Sequence, residues 1–389
     1  MVGAAGFVPP PYPYDRLDAL RATADRHDGG IVDCSIGTPC DPVPEVAVDA
    51  AAAALGAANG YPPSAGTGAL REAAAGWIDR RFGVGLPPSA IGACVGTKEL
   101  VASLPHLLRL RNPDRDTVLY PAVAYPTYEM GAILAGLRPV PVPVDADWHL
   151  DLDAIDPADA ARALLLWINE PGNPAGQTAD AARFGRYAEW GRRQGVVVAS
   201  DECYVEFAPT PATILAAGVD GVLAVHSVSK RSNLAGMRVG FYAGDPALVE
   251  YLVETRKHAG LMAPSPVQAA ATAALGDDDH VEIQRARYRD RRAMVLAALR
   301  SLGLVHSGGD MAFYLWLRAA TPGGPDGWAL AAGLAAAGGL LVAPGDLYGA
   351  AGSDHVRLAL VQPDDAFERV CARLEQAAAE GAMWTTVPD

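Results

Sequence analysis

Lysine is scarce in this chain, and one lysine stands where a primary amine could do chemistry. Only three of the 31 basic residues Lys and Arg are lysines: Lys98, Lys230 and Lys257. Arginine serves wherever a solvated cation suffices, but only a primary amine condenses with an aldehyde to form a Schiff base. Lys230 follows a short apolar run that ends in Ser-x-Ser. We therefore take Lys230 as the first candidate for a covalent cofactor anchor, the alternative being a surface lysine in an ion pair.

Two predicted strands end beside an acid and an amine. The β-branched run 195–200 leads directly into Asp201, and the apolar run 220–226 leads through a polar loop to Lys230. In α/β folds, ligands gather at the carboxyl ends of parallel strands, so we expect Asp201 and Lys230 on one rim. A pyridoxal cofactor needs this pair, because the amine holds its aldehyde carbon and the anion keeps its ring nitrogen protonated.

Composition narrows the class of protein. A formal net charge of -14 argues against nucleic acid or an anionic membrane surface as a partner. Five cysteines without a C-x-x-C pair predict reduced thiols in a cytoplasmic protein. The first residues show no signal-peptide pattern, and the uncharged stretch 328–344 falls short of the roughly 20 residues that span a membrane. We interpret the acidic run 277–279 as a helix cap, and we expect no metal site.

The pattern along the chain predicts an α/β fold. Helical and strand periodicities alternate between short Gly and Pro breaks from about Val46 to Gly276, as in a doubly wound sheet. A long polar helix is predicted over 281–302, followed by strands at 311–317 and 340–343. At 389 residues the chain is long enough for two domains, the second a smaller α+β unit.

Ordered motifs over nearly the whole chain resemble the class I/II pyridoxal-phosphate aminotransferases of fold type I. The motifs are SIGTP at 35–39, YPPSAGT at 61–67, GTKEL at 96–100, NPAG at 173–176, DECY at 201–204, SVSK at 227–230 and HVRL at 355–358. Within this family, four motifs resemble those of the actinobacterial N-succinyldiaminopimelate aminotransferases. They are GTKEL, YPTY at 125–128, SDECY at 200–204 and RKHAG at 256–260.

The resemblance implies a particular architecture. It implies a mostly parallel seven-stranded sheet in a large domain that binds pyridoxal 5'-phosphate (PLP), plus a smaller α+β domain. The implied boundaries are 1–45 for an N-terminal arm and part of the small domain, 46–280 for the large domain and 281–389 for the C-terminal small domain. It also implies a homodimer with shared active sites.

The resemblance also implies roles for individual residues. Lys230 holds the cofactor, Asp201 pairs with its ring nitrogen, Tyr125 stacks on its ring, and Asn173 and Tyr204 contact its phenolic oxygen. The phosphate group is held by the following residues: Gly96, Thr97, Lys98, Ser227, Ser229, Arg238 and, from the other subunit, Tyr61. The substrate's α-carboxylate is bound by Arg357, helped by Asn173 and Gly37. Lys257 is expected to be solvated.

Three departures from the family pattern put the substrate in doubt. Glu170 brings an anion toward the carboxylate-binding region, and Arg231 directly follows the predicted anchor. The run Met311-Ala312-Phe313 replaces the family's small residue and glycine before Tyr314, in a segment that usually lies near the substrate.

Three functions therefore stay open. The first is transamination of N-succinyl-LL-2,6-diaminoheptanedioate with 2-oxoglutarate. The second is a repurposed enzyme of specialised metabolism that performs elimination, replacement or carbon–carbon bond formation on another amino acid. The third is a non-catalytic PLP-binding sensor, which the absence of a helix-turn-helix segment before Phe7 disfavours.

Overall fold

The computed structural model describes residues 6–381, in which helices surround one large sheet and two small ones. The helices are α1 (Asp18–Ala24), α2 (Glu45–Leu55), α3 (Gly68–Phe82), α4 (Thr97–Arg111), α5 (Thr127–Leu134), α6 (Pro157–Arg162), α7 (Ala181–Gln194), α8 (Val228–Arg231), α9 (Pro246–His258), α10 (Ser265–Gly276), α11 (Asp279–Ser301), α12 (Gly327–Gly338) and α13 (Asp364–Ala379). The strands are β1 (Val32–Asp33), β2 (Ile91–Cys94), β3 (Thr117–Pro121), β4 (Arg138–Val142), β5 (Ala163–Asn169), β6 (Val197–Asp201), β7 (Val222–Ser227), β8 (Gly240–Gly244), β9 (Leu304–His306), β10 (Tyr314–Ala319), β11 (Leu340–Leu341), β12 (Ala343–Pro344) and β13 (His355–Ala359).

The large sheet has seven strands in the order β2-β8-β7-β6-β5-β3-β4. Strand β8 is antiparallel to both of its neighbours, and the other strands share one direction. Successive residues of β5 pack into two different cores, Leu166 and Ile168 on one face and Leu165 and Trp167 on the other. Both faces of the sheet are therefore covered by helices, which is why its central strands are continuous apolar runs.

Local signals set the ends of the elements that position the site. The Asp180 carboxylate caps α7 by accepting from the Arg183 N–H at 2.8 Å. Gly195 ends the same helix in the left-handed region, with φ of 64°, which glycine adopts without strain. The chain then enters β6, whose last residue is Asp201.

The smaller sheet has four antiparallel strands in the order β12-β13-β10-β9. Arg357 of β13 lies opposite Trp316 of β10 and Ala343 of β12. Helices α11, α12 and α13 cover this sheet around a core that includes Leu299, Leu330 and Phe367. Strand β1 pairs in parallel with β11, which connects the N-terminal segment to the same part of the molecule.

The predicted fold class is confirmed, and one predicted strand boundary is wrong. The strand predicted from residue 311 begins at Tyr314. The Met311 N–H donates to the Gly176 carbonyl and the Ala312 N–H to the Phe207 carbonyl, so these residues bond outside the sheet. Among residues 6–381 no helix has the length and apolar character needed to cross a membrane. The domain boundaries remain a prediction.

Candidate active site

The carboxyl ends of five strands open into one cavity of about 460 Å³. The segments after β2, β3, β5, β6 and β7 all reach it, and Arg238 enters from the chain just before β8. The predicted site residues that line the cavity are Gly37, Thr97, Lys98, Tyr125, Asn173, Asp201, Tyr204, Ser227, Ser229, Lys230, Arg238 and Arg357. Residues from widely separated parts of the sequence thus meet at the sheet edge where α/β folds bind ligands.

Lys230 lies in the single turn of α8 and extends its amine into the cavity. The amine donates to the Gly37 carbonyl and lies 5.7 Å from the centroid of the Phe313 ring. Burial lowers the pKa of Lys230 to about 8, and the positive charges of Arg357 and Arg238 act in the same direction. Near neutral pH a usable fraction of this amine is therefore unprotonated, as nucleophilic attack on an aldehyde requires.

Asp201 provides a buried carboxylate at the end of β6. One oxygen accepts from the Tyr128 hydroxyl at 2.8 Å, and the other accepts from the Cys203 N–H at 3.2 Å. Burial raises the pKa of Asp201. Within the described part of the chain no cationic side chain forms an ion pair with this carboxylate, so the cavity presents an anion that lacks a positive partner.

Small and hydroxyl-bearing residues form a cup beside the start of α4. Gly96 has φ of 76°, and a Cβ atom there would lie 2.3 Å from Nη2 of Arg238. The Arg238 guanidinium therefore lies directly against the backbone that leads into the helix. Ser227 and Ser229 line the same cavity, and the first N–H groups of a helix are free to bind an anion. This cup has the donor set of a phosphate site.

Arg357 is almost completely buried, with 2% of its surface exposed. One guanidinium nitrogen donates to Oδ1 of Asn173 at 2.8 Å, and another donates to the Ser35 carbonyl. The guanidinium carbon lies 4.4 Å from the Tyr314 ring centroid and 4.9 Å from that of Tyr348. Packing between two aromatic faces holds the charged group at a fixed place on the cavity wall.

Tyr204 lies in the cavity with a partner that the sequence did not indicate. Its hydroxyl is 2.8 Å from the hydroxyl of Tyr314, and both side chains are buried. The predicted companion Asn173 lines the same cavity and is held by its backbone N–H, which donates to Oδ1 of Asn169 at 2.8 Å.

Lys98 occupies the first turn of α4, as expected, but its amine points toward aromatic residues. The Nζ atom lies 3.4 Å from the Tyr12 hydroxyl and 6.0 Å from the centroid of the Tyr125 ring. Its contact with phosphate stays a prediction. Lys257 is exposed and lies 3.6 Å from Glu254, in agreement with a solvated lysine.

Tyr61 lies apart from the cavity of its own chain. Its side chain is 96% exposed, and the residue is not part of the cavity wall. The predicted contact with a phosphate group in the other subunit stays a prediction.

Two departures from the family pattern are structural features away from the cavity wall. Glu170 does not line the cavity, and its Oε1 is 2.8 Å from Nδ1 of His149, so its effect on the carboxylate-binding region stays a prediction. Arg231 is buried and pairs with Glu206 at 3.0 Å and Asp278 at 2.9 Å. Of the departing segment 311–313, Phe313 reaches the site, because its ring lies beside the Lys230 amine.

Several residues of the cavity wall were not predicted from the sequence as site residues. Tyr12 and Tyr14 come from the N-terminal segment, Tyr128 holds Asp201, and Tyr314 pairs with Tyr204. The aromatic and proline-rich run at 9–14 was a usable signal for the first two. Tyr128 lies three residues after Tyr125 within the YPTY motif, where the first turn of α5 returns it to the same side.

Comparisons with known proteins agree with this geometry. Residues 30–374 match the family described as aminotransferase class I and II. A 4-dedimethylamino-4-oxo-anhydrotetracycline transaminase, OxyQ of Streptomyces rimosus, is 44% identical, with 94% of this chain and 99% of that protein aligned. An LL-diaminopimelate aminotransferase of Desulforudis audaxviator is 36% identical over 94% of this chain and 95% of its own.

A solved structure extends the comparison to the fold. A probable N-succinyldiaminopimelate aminotransferase of Thermus thermophilus superposes with a TM-score of 0.84 and 31% identity, over 94% of this chain and 99% of the other. The predicted family and enzyme class are therefore confirmed. The chain belongs to the class I and II aminotransferases.

Proposed function

We propose that this aminotransferase uses PLP and transfers the amino group of an amino acid to 2-oxoglutarate. The observation that carries the proposal is the meeting, in one cavity, of a lysine whose pKa is lowered to about 8, a buried carboxylate and a buried arginine: Lys230, Asp201 and Arg357. These three groups meet three needs of PLP-dependent amino transfer: an amine anchor, an anion for the ring nitrogen and a cation for the substrate's carboxylate.

The residues present fit PLP. The anion at Asp201 lacks a cationic partner within the described chain, and a protonated ring nitrogen supplies one. The cup of Gly96, Arg238, Ser227 and Ser229 has the donors for the phosphate group. Tyr125 offers a flat aromatic face for the ring. When bound, PLP supplies an electron-withdrawing ring that accepts the electron pair of the substrate's α C–H bond.

Lys230 then moves the proton. With PLP and substrate bound, the free amine of Lys230 would take the proton from the substrate's α-carbon and would hold it for return across the nitrogen. The same burial that lowers the pKa of Lys230 to about 8 favours the neutral amine that this step needs. The Gly37 carbonyl, which accepts from the amine, holds it at the cavity wall.

Arg357 orients the substrate. Its guanidinium is buried and lies between the Tyr314 and Tyr348 rings, so it presents a rigid fork to the α-carboxylate. Because Arg357 and Lys230 line the same cavity, a substrate held by its carboxylate at Arg357 would have its α C–H bond kept in one orientation near the Lys230 amine.

The amino donor that we propose is N-succinyl-LL-2,6-diaminoheptanedioate. The narrow motifs at 96–100, 125–128, 200–204 and 256–260 support it. Similarity to the probable N-succinyldiaminopimelate aminotransferase of Thermus thermophilus over nearly the whole chain supports it further.

A second candidate is amino transfer to a ketone of a specialised metabolite. The observation that favours it is the 44% identity to the Streptomyces rimosus transaminase, whose name specifies a 4-oxo-anhydrotetracycline derivative. Elimination, replacement and carbon–carbon bond formation receive no comparable support, because the relatives described above are aminotransferases.

We propose a homodimer in which the exposed Tyr61 of each chain enters the cavity of the other, as the family resemblance implies. The 96% exposure of Tyr61 supports the proposal, because its ring is free to contact another chain.

A half-reaction with purified PLP-loaded protein tests the function. Each candidate donor is mixed with the protein, and loss of the visible absorbance of the cofactor is followed without an oxo acid. We expect rapid loss with N-succinyl-LL-2,6-diaminoheptanedioate and recovery on addition of 2-oxoglutarate. Conversion with the amine of a tetracycline-type ketone instead supports the second candidate, and a band that no donor bleaches refutes both.

A further inference from the structure

Two tyrosine hydroxyls meet inside the cavity, and only one of them belongs to the predicted site. Tyr204 and Tyr314 have their oxygens 2.8 Å apart and their ring centroids 5.2 Å apart. Both side chains are buried and both line the cavity. Within residues 6–381 the Tyr204 oxygen is the hydrogen-bond partner of the Tyr314 hydroxyl, and no other partner is recorded for it.

A phenolic hydroxyl has a single proton, so only one member of the pair can donate to the other. If Tyr204 donated to Tyr314, it would have no proton left for the phenolic oxygen of a bound cofactor. If Tyr314 donates, the Tyr204 oxygen accepts that bond and its own O–H is free to point into the cavity. The direction of one hydrogen bond therefore decides whether Tyr204 can serve the cofactor.

The surroundings make Tyr314 the better donor. Its ring lies closer than any other described aromatic ring to the Arg357 guanidinium, at 4.4 Å, and a cation against the ring favours release of the hydroxyl proton. Burial raises the pKa of both hydroxyls. The close guanidinium therefore makes Tyr314 the better donor of the pair.

The backbone at Gly37 leaves room for this arrangement. A Cβ atom at Gly37 would lie 2.3 Å from the Tyr314 hydroxyl, so any larger residue there would push the hydroxyl away. Phe313 packs on both tyrosines, with ring centroids 5.3 Å from Tyr204 and 4.8 Å from Tyr314. The pair is thereby fixed from two sides.

Resting on the proposed PLP function, we infer that Tyr314 is a positioning residue: it donates to the Tyr204 oxygen and turns the Tyr204 O–H toward the cofactor's phenolic oxygen. Tyr314 also packs on Arg357, the residue that binds the substrate carboxylate. Tyr314 thereby holds Arg357 in line with Tyr204, the residue that stabilises charge on the cofactor. Tyr314 acts through Tyr204 and need not touch the cofactor.

The test is a pH titration of the visible absorbance of PLP-loaded protein. A hydrogen bond to the cofactor's oxygen stabilises its negative charge and lowers the basicity of the nitrogen linked to Lys230. Tyr204→Phe removes that bond, worth about 1.5–3 kcal/mol at a charged group, and raises the titration midpoint by roughly 1 to 2 pH units. Tyr314→Phe removes only the supporting bond, so it raises the midpoint by about 0.1 to 0.6 unit, roughly 10–30% of that shift.

Tyr348→Phe is the matched control. The Tyr348 ring also packs on Arg357, at 4.9 Å, but its hydroxyl pairs with that of Tyr14 at 2.8 Å and not with Tyr204. We expect its midpoint to equal that of the wild type. In a Tyr204→Phe background, Tyr314→Phe should produce no further shift, because a residue that acts through Tyr204 has nothing left to act on.

The outcomes separate this inference from the proposed function. A wild-type visible band with an unmoved midpoint in Tyr314→Phe overturns the inference alone. So does an additive shift in the double variant, or an equal shift in Tyr348→Phe. Failure of the wild type to develop a visible band with PLP overturns the proposed function, and this inference falls with it.

Discussion

Replacing Arg357 by lysine should damage the use of amino acids and spare amines that lack an α-carboxylate. Lysine keeps the positive charge but loses the planar fork that makes two parallel hydrogen bonds to a carboxylate. The site cannot adapt readily, because the guanidinium is held by Asn173 and Ser35 and packed between two tyrosine rings. Losing one bond to a charged group, about 1.5–3 kcal/mol, lowers kcat/KM roughly 10- to 150-fold.

The assay compares two donors in a single half-reaction. Glutamate and 4-aminobutanoate differ at the reacting carbon by the α-carboxylate, and both bleach the visible band if they transfer their amino group. We expect Arg357→Lys to slow glutamate by the factor above and to leave the rate with 4-aminobutanoate within about twofold, since that amine makes no α-carboxylate contact. Arg318→Lys is the control, because Arg318 lies on the adjacent strand β10 and, among residues 6–381, its guanidinium bonds only to the Ala319 carbonyl.

Either of two results refutes this reasoning. Equal losses with both donors mean that the substitution disturbs the whole site and does not act on the carboxylate. An unchanged rate with glutamate means that another group binds the carboxylate. Thermal unfolding of the loaded variants, monitored beside the kinetics, shows whether the buried lysine has weakened the fold.

Three further predictions concern the ring nitrogen, a buried acid and the dimer. Asp201→Ala should keep bound PLP but lower turnover about 100-fold or more, because a preorganised charge is lost; unchanged turnover contradicts its role. Burial raises the pKa of Glu202 to about 8, so the folded protein keeps this proton while the unfolded chain loses it above about pH 4.5, and stability falls as the pH rises between these values. Glu202→Gln should therefore gain stability over wild type, by up to roughly 1.4 kcal/mol per pH unit across that window in urea unfolding, and a constant difference from pH 5 to 8 contradicts the assignment. Tyr61→Ala should weaken PLP binding about tenfold or more, and mixing it with Lys230→Ala chains should restore one complete site per mixed dimer; no rescue on mixing argues against a shared site.

The sequence predicted residues of the cavity wall where a strand pattern leads directly into a residue with suitable chemistry. The β-branched run before Asp201 and the apolar run before Lys230 predicted two strand ends, and the rule that ligands gather at such ends brought the two residues together. Arg357 and Asn173 were found by motif position, although they are 184 residues apart. Each of these residues lies in the cavity that the fold creates.

The remaining contacts of the site depend on tertiary packing that no local pattern encodes. The bond between Tyr14 and Tyr348 joins residues 334 positions apart, and that between Tyr204 and Tyr314 joins residues 110 apart. The contact between Glu170 and His149 was not predicted, because His149 comes from a loop before α6 whose position is set by the folded sheet. Position along the chain places a residue near the site, but its partner depends on which strands become neighbours.

The most direct test of the central claim is to locate the covalent attachment of PLP. The loaded protein is reduced with borohydride, digested, and mapped by mass spectrometry, with Lys230→Ala treated in parallel. We expect the phosphopyridoxyl group on the peptide that contains Lys230 and no stable adduct in the variant. Modification at Lys98 or Lys257 instead, or a visible band that persists in Lys230→Ala, would contradict the account.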